Sequence, residues 1–190
     1  MSLMQNHRVM MKETLAESLR ILMDRYLFEK ITIKQICNEA GVIRATFYNY
    51  FDDKYDCLNS IVYHDIVERC KPYIDRNSMA EATTGVLQTI EENRSFYKTA
   101  YGVTGQNSFE DMIRDNLKIL LFDYLNRYRK KGYLDEYDND LLAGYFAECI
   151  AFHIRLFVFE KGGRRTVEQT RNMINDLMKN SFYDFAGEHS

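Results

Sequence analysis

The segment Ile31-Thr32-Ile33-Lys34-Gln35-Ile36-Cys37-Asn38-Glu39-Ala40-Gly41-Val42-Ile43-Arg44-Ala45-Thr46-Phe47-Tyr48-Asn49-Tyr50-Phe51 decides how the chain is read. Thr32 to Gln35 has the T-x-x-Q spacing of a capping box, in which the threonine oxygen accepts the amide three residues on and the glutamine side chain reaches back. A short helix therefore starts there and buries Ile36, Cys37 and Ala40. Gly41 stops it, because glycine takes positive φ without a Cβ clash. After Val42 and Ile43, a helix over 44–51, turning about 100° per residue, puts Phe47 and Phe51 on one side. Ala45, Thr46 and Asn49 point to the other, with Arg44 and Tyr48 on one flank and Tyr50 on the opposite one. One face packs and the other reads. Two short helices joined by a glycine turn, behind a longer helix, make a helix-turn-helix. Its second helix fits the DNA major groove: the small Ala45 allows close approach, and Arg44, Thr46 and Asn49 can hydrogen-bond to bases or phosphates.

Outward from this segment the chain reads as helix throughout. Between Lys12 and Phe28, Leu15, Leu19, Leu22 and Tyr26 recur on one helical face. Asp52 and Asp53 can cap a helix starting at Lys54, whose apolar face continues through Tyr55, Leu58, Val62 and Ile66 toward Pro72. Two shorter helices follow over 80–92 and 95–101, and Gly102, Gly105 and Asn107 break the chain. A long helix begins at Ser108 and stops at Lys131-Gly132. The stretch 138–160 is apolar on almost every side, as a helix at the centre of a domain, or one shared with a partner, would be. Gly162-Gly163 ends it. Thr166-Val167-Glu168-Gln169 is a second capping box, opening a last helix to about Phe185.

These residues carry a resemblance to the TetR family of bacterial transcription regulators. The match is the ordered set Thr32, Ala40-Gly41-Val42, Thr46-Phe47-Tyr48, Tyr50-Phe51 and Lys54, within roughly residues 10 to 58. The resemblance implies an all-α fold of about nine helices. A helix-turn-helix head would occupy 8–53, and a larger helical body at 54–187 would bind an effector and dimerise. By the family pattern, Thr32 and Lys34 touch phosphate or a base edge, and Arg44, Ala45, Thr46, Asn49 and Tyr50 face the groove. Tyr48 would donate to a phosphate, and Lys54 would pair with the DNA backbone. Tyr50 is as well read as a half-buried aromatic with a wet hydroxyl. The implied partners are double-stranded operator DNA, a small-molecule effector and a second copy joined through the last two long helices. The stretch Phe51 to Leu58 is similar to a branch common in low-GC Gram-positive bacteria. Ile43 departs from the family, where Ser or Asn often caps the recognition helix. Isoleucine cannot accept an amide hydrogen bond, so either water and the surroundings of Thr46 satisfy those amides or they grip a phosphate.

Composition supports a packed domain: 190 residues, 46% hydrophobic and 28% charged. One proline and nine glycines are too few turn formers for a sandwich or barrel. The net charge of −3 announces no basic field. Split after Lys54, however, the first 54 residues balance at +1 and the remaining 136 at −4. The acidity belongs to the body, and specificity is expected to lean on dimerisation and on hydroxyl and amide contacts.

No apolar run approaches the ~18 residues of a membrane span, and the N-terminus has no signal-peptide pattern, so no membrane partner and a cytoplasmic location are expected. Met1-Ser2-Leu3 ahead of a second methionine reads as an expression remnant. Cys37, Cys57, Cys70 and Cys149 form no CxxC, which leaves them as small apolar residues on helix faces and gives no metal or cofactor site. There is no nucleophile elbow, Walker loop or GxGxxG, and the acidic pairs are adjacent residues that do not face one another, so an enzyme is not indicated. Seven body residues are candidate walls of an effector pocket: His64, Tyr97, Tyr101, Phe122, Phe146, Cys149 and His153. For any one of them ordinary core packing is the better reading. The rival function is a helical small-molecule-binding or interaction protein whose head has lost specific DNA binding. Within the family reading, a ligand-responsive repressor is the expected mode.

Overall fold

The computed structural model describes residues 3–132, 135–160 and 165–180. Over these residues the chain forms helices only. They are α1 (Leu3–Met23), a 3-10 turn (Phe28–Lys30), α2 (Ile33–Glu39), α3 (Arg44–Tyr48), α4 (Lys54–Tyr63) and a π-helical turn (His64–Glu68). Then follow α5 (Lys71–Ile74), α6 (Met79–Glu92), α7 (Arg94–Ala100), α8 (Phe109–Tyr128), α9 (Asn139–Phe159) and α10 (Val167–Lys179). The single turn α5 is a helix that the sequence reading had not separated out. The Gly162-Gly163 stop and the expected end near Phe185 lie outside the described residues.

The residues pack as two units. The first comprises residues 1–64 and 94–112, and the second 65–93 and 113–190. In the first unit α1 packs against α2, α4 and α7. Leu15, Leu19 and Leu22 of α1 are buried, as their spacing requires, together with Ile36, Phe47, Phe51, Leu58 and Val62. Tyr26 departs from that reading. The helix ends at Met23, the amides of Arg25 and Tyr26 both donate to the Leu22 carbonyl, and Tyr26 is left exposed beyond the last turn. Phe109, the first residue of α8, closes an aromatic cluster in this unit, with Phe96, Tyr97 and Tyr101 edge-on around it at 5.2–6.2 Å. The Arg20 guanidinium lies 4.5 Å over Phe96.

In the second unit α6 packs on α5, α9 and α10, and α10 also meets α9. Ala143, Ala147 and Ala151, spaced by four on α9, are buried and small enough for close helix approach. Arg114 of α8 pairs with Glu148 of α9 at 3.4 Å, and Lys118 with Asp140 at 2.8 Å. α8, α9 and α10 each have a side-chain cap: Ser108 Oγ accepts from Asp111 N, Asp138 Oδ1 from Leu141 N, and Thr166 and Gln169 form the second capping box.

α9 corrects one expectation. By length and composition it is apolar enough to cross a membrane. An uninterrupted-run search misses it because Glu148 and Arg155 break the sequence. Its inner face (Ala143, Ala147, Ile150, Ile154, Phe157) is buried in the second unit. Its outer face leaves Leu141, Tyr145, Phe152, Leu156 and Phe159 exposed.

Candidate nucleic-acid interface

The first unit builds its site from the capping box upward. Thr32 N donates to Gln35 Oε1 at 2.9 Å, and Gln35 N donates to Thr32 Oγ1 at 3.3 Å. The threonine hydroxyl itself donates to Gln35 Oε1 at 2.8 Å, so the cap occupies the proton a phosphate contact would use. At the other end of α2, Val42 N donates to Cys37 O and Gly41 N to Asn38 O, the paired bonds of a Schellman stop. Gly41 sits at φ +69°, where any Cβ strains the backbone.

α3 follows two residues later and is shorter than expected. It ends at Tyr48, with Asn49 as its C-cap and Tyr50 and Phe51 in the turn beyond. Phe47 and Phe51 are buried and tilt against each other at 5.5 Å. Above them Arg44, Ala45, Tyr48 and Asn49 are exposed, and Thr46 and Tyr50 half-buried. Arg44 Nη2 donates to the Tyr48 hydroxyl at 3.1 Å, one turn along the helix, and its guanidinium lies 5.9 Å from the Tyr48 ring. The bond leaves the tyrosine proton available to a phosphate oxygen. Lys34 is exposed on α2. Burial pushes the Cys37 thiol up, and the charge of Arg44 partly counters it.

Ile43 occupies the N-cap of α3 with extended backbone, makes no side-chain cap bond and is 72% exposed. Most of its side chain is in solvent, so a smaller residue loses little packing. Ile43→Ser is therefore expected to stabilise the protein by about 0.5–2 kcal/mol, seen as a rise of roughly 1–8 °C in thermal melting. A melting temperature that stays level or falls would show that these amides already have partners.

Lys54 is placed differently from the phosphate contact the resemblance implies. Its ammonium is half-buried and donates to Phe28 O at 2.8 Å, Ile31 O at 3.0 Å and Glu29 O at 3.3 Å.

Of the seven candidate pocket residues, three lie in the first unit and four in the second. Tyr97 and Tyr101 belong to the aromatic cluster of the first unit, and His64 is exposed there. Phe122, Phe146, Cys149 and His153 lie in the second unit, where His153 Nδ1 is 2.6 Å from Cys149 O. Phe122 borders an open, polar groove of about 620 Å³ with Arg129, Lys130 and Tyr137. A small, partly open cavity in the second unit is about 20 Å³ and is lined mainly by apolar residues of α6, α8, α9 and α10, among them Met79, Val86, Leu121 and Ile154, with Thr83. It has room for about one water. Helical periodicity cannot separate a cavity wall from core.

A helix-turn-helix with a polar recognition face, carried on an all-helical chain, defines a DNA-binding transcription regulator. Two family models agree with that class. Residues 22–61 match the bacterial regulatory proteins of the TetR family, and residues 77–180 match a transcriptional regulator C-terminal region. The chain belongs to the TetR family of transcriptional regulators. Among curated proteins it is 25% identical over 93 residues to the transcriptional activator of the dhaKLM operon, DhaS, of Lactococcus lactis, a match spanning half of each protein. Among solved structures it resembles the dihydroxyacetone kinase operon activator DhaS, at 22% identity and a TM-score of 0.67, over 90% of this chain and 95% of that one. A TetR-family regulator from Syntrophomonas wolfei follows, at 18% identity and a TM-score of 0.65, over 89% and 93%.

Proposed function

We propose that the chain is a cytoplasmic homodimer that binds a pseudo-palindromic operator through α3 and answers to a small-molecule effector. The observation that carries this reading is the face of α3, where Arg44, Ala45, Tyr48 and Asn49 stand exposed over the buried pair Phe47 and Phe51. Thr46, Tyr50 and Lys34 flank that face, and Thr32 caps the helix beneath it. The exposed apolar side of α9 supports dimerisation, since large exposed apolar patches mark interaction sites. Two heads would meet half-sites about 34–36 Å apart. An effector acts by shifting the population of head spacings away from that value or toward it, to the extent that it binds one state better.

The effector site is proposed in the second unit, where the cavity walls are apolar apart from Thr83. At about 20 Å³ that cavity would have to open to hold an organic ligand. Repression by promoter occlusion is the first mode. Activation is the second, favoured by the activators named among the similar proteins.

Pull-down of sheared genomic DNA by the purified protein is expected to enrich one intergenic fragment. If Lys34 neutralises a phosphate from each of the two heads, it should contribute about −1.8 to the salt slope of binding. Even recovery of all fragments would remove the operator reading and leave the rival, a binding protein without specific DNA recognition. A reporter driven by the enriched fragment separates the two modes: loss of the regulator raises output under repression and lowers it under activation.

A further inference from the structure

We propose that Lys54 is a positioning residue rather than a DNA ligand: it clasps the start of α4 to the turn that carries α2, and so sets the pose of the reading head. This rests on the DNA-binding reading above. An ammonium has three protons, and Lys54 meets three carbonyls, those of Phe28, Glu29 and Ile31, at 2.8–3.3 Å. Nothing is left over for a phosphate. The ammonium also lies 4.5 Å over the Phe28 ring and 5.9 Å from that of Tyr55, and those two rings meet edge-on at 5.0 Å. Phe28 is 1% exposed, so the turn it anchors is fixed in the core.

The local electrostatics argue the same way. Lys54 is the first residue of α4, the positive end of the helix dipole, where a cation is disfavoured. Asp53, the usual kind of residue there, already caps the helix by accepting from Tyr55 N and Asp56 N. A lysine in the next position needs an acceptor of its own, and the three turn carbonyls supply it. Burial lowers the Lys54 pKa, with Glu29 and Asp53 partly restoring it.

The clasp has a consequence for DNA reading. Ile31, one of the three acceptors, immediately precedes Thr32, the N-cap of α2. A displacement of the α4 start is therefore passed to the base of the helix-turn-helix through one side chain.

The test uses the full chain, with Lys54→Met and Lys54→Arg, and a duplex selected by the unmodified protein from a randomised pool. Guanidinium keeps a phosphate contact but is planar, and cannot converge on three carbonyls as an ammonium does. Both variants are expected to melt at lower temperature. At 10 °C, where they remain folded, both should lose about tenfold or more in the ratio of specific to non-specific affinity. Their salt slope should stay that of the parent. A slope shallower by about 0.9 with unchanged melting identifies a phosphate ligand and overturns the proposal. Parent-like specificity in Lys54→Arg, or a parent-like ratio in both at 10 °C, overturns it as well. Failure of either variant to fold supports the clasp, since losing a solvent-facing ligand leaves a fold intact. If the unmodified protein selects no duplex, the DNA reading has failed, and melting alone reports on the clasp.

Discussion

Phe152→Glu is expected to turn the proposed dimer into a monomer that no longer holds the proposed operator. Phe152 lies near the middle of α9 and is 51% exposed, within a stripe formed by Leu141, Tyr145, Leu156 and Phe159. These residues recur at helical spacing on the side opposite the buried alanines, so they form one continuous face. In a two-fold dimer the same patch serves both subunits, and one substitution enters the interface twice. Truncating a central aromatic anchor typically costs 2 kcal/mol or more, and a buried, unpaired carboxylate costs further. Two copies therefore weaken dimerisation by roughly 10³-fold. Operator affinity follows, because the second head no longer benefits from being tethered to the first, a factor of about 10²–10⁴. Sedimentation velocity at micromolar protein, with melting as a control for folding, reads the first effect, and anisotropy on the enriched operator fragment reads the second. Melting should change little beyond the loss of association, since the side chain faces outward. A variant that stays dimeric would place the interface elsewhere than α9.

The sequence carried those parts of the fold that rest on local chemistry. Both T-x-x-Q boxes form as read, since a cap involves only four consecutive residues. Gly41 takes the positive φ its position demanded. Phe47 and Phe51 bury together because four residues on a helix face are neighbours.

The features it left hidden depend on contacts between distant residues or on small changes of period. The π-helical turn at His64–Glu68 follows α4 with no break in apolar spacing, so nothing in the pattern separated 54–63 from 64–68. Lys54 looked like any solvated cation near a DNA-binding motif. Its acceptors lie some 25 residues earlier in the chain and are backbone atoms, to which side-chain patterns are blind. Periodicity showed that α9 is apolar all round but could not say which side faced the core. That division follows from the small alanines, which let neighbouring helices approach closely.

Arg44→Ala and Tyr48→Phe should both weaken operator binding strongly, but in different ways. Both side chains are exposed, so neither change should unfold the protein. A base-contacting arginine is worth about 1–3 kcal/mol of discrimination. Doubled over two heads, its loss comes to roughly 2–6 kcal/mol and should relax the preference at one symmetry-related pair of base positions. Tyr48→Phe removes a phosphate donor and should weaken binding evenly across sequences. The two are not independent, because Tyr48 accepts from Arg44 at 3.1 Å and so holds the guanidinium on its flank of α3. Once the tyrosine hydroxyl is gone, the arginine keeps its charge but loses its tether. The double variant should therefore bind better than the sum of the single losses implies, by about 0.5–1.5 kcal/mol per head. Anisotropy titrations of the four proteins on one operator, repeated on single-base variants, separate these terms. Strict additivity would show that the Arg44–Tyr48 bond is broken in the complex. If both single variants bound as tightly as the parent, α3 would not be the reading helix.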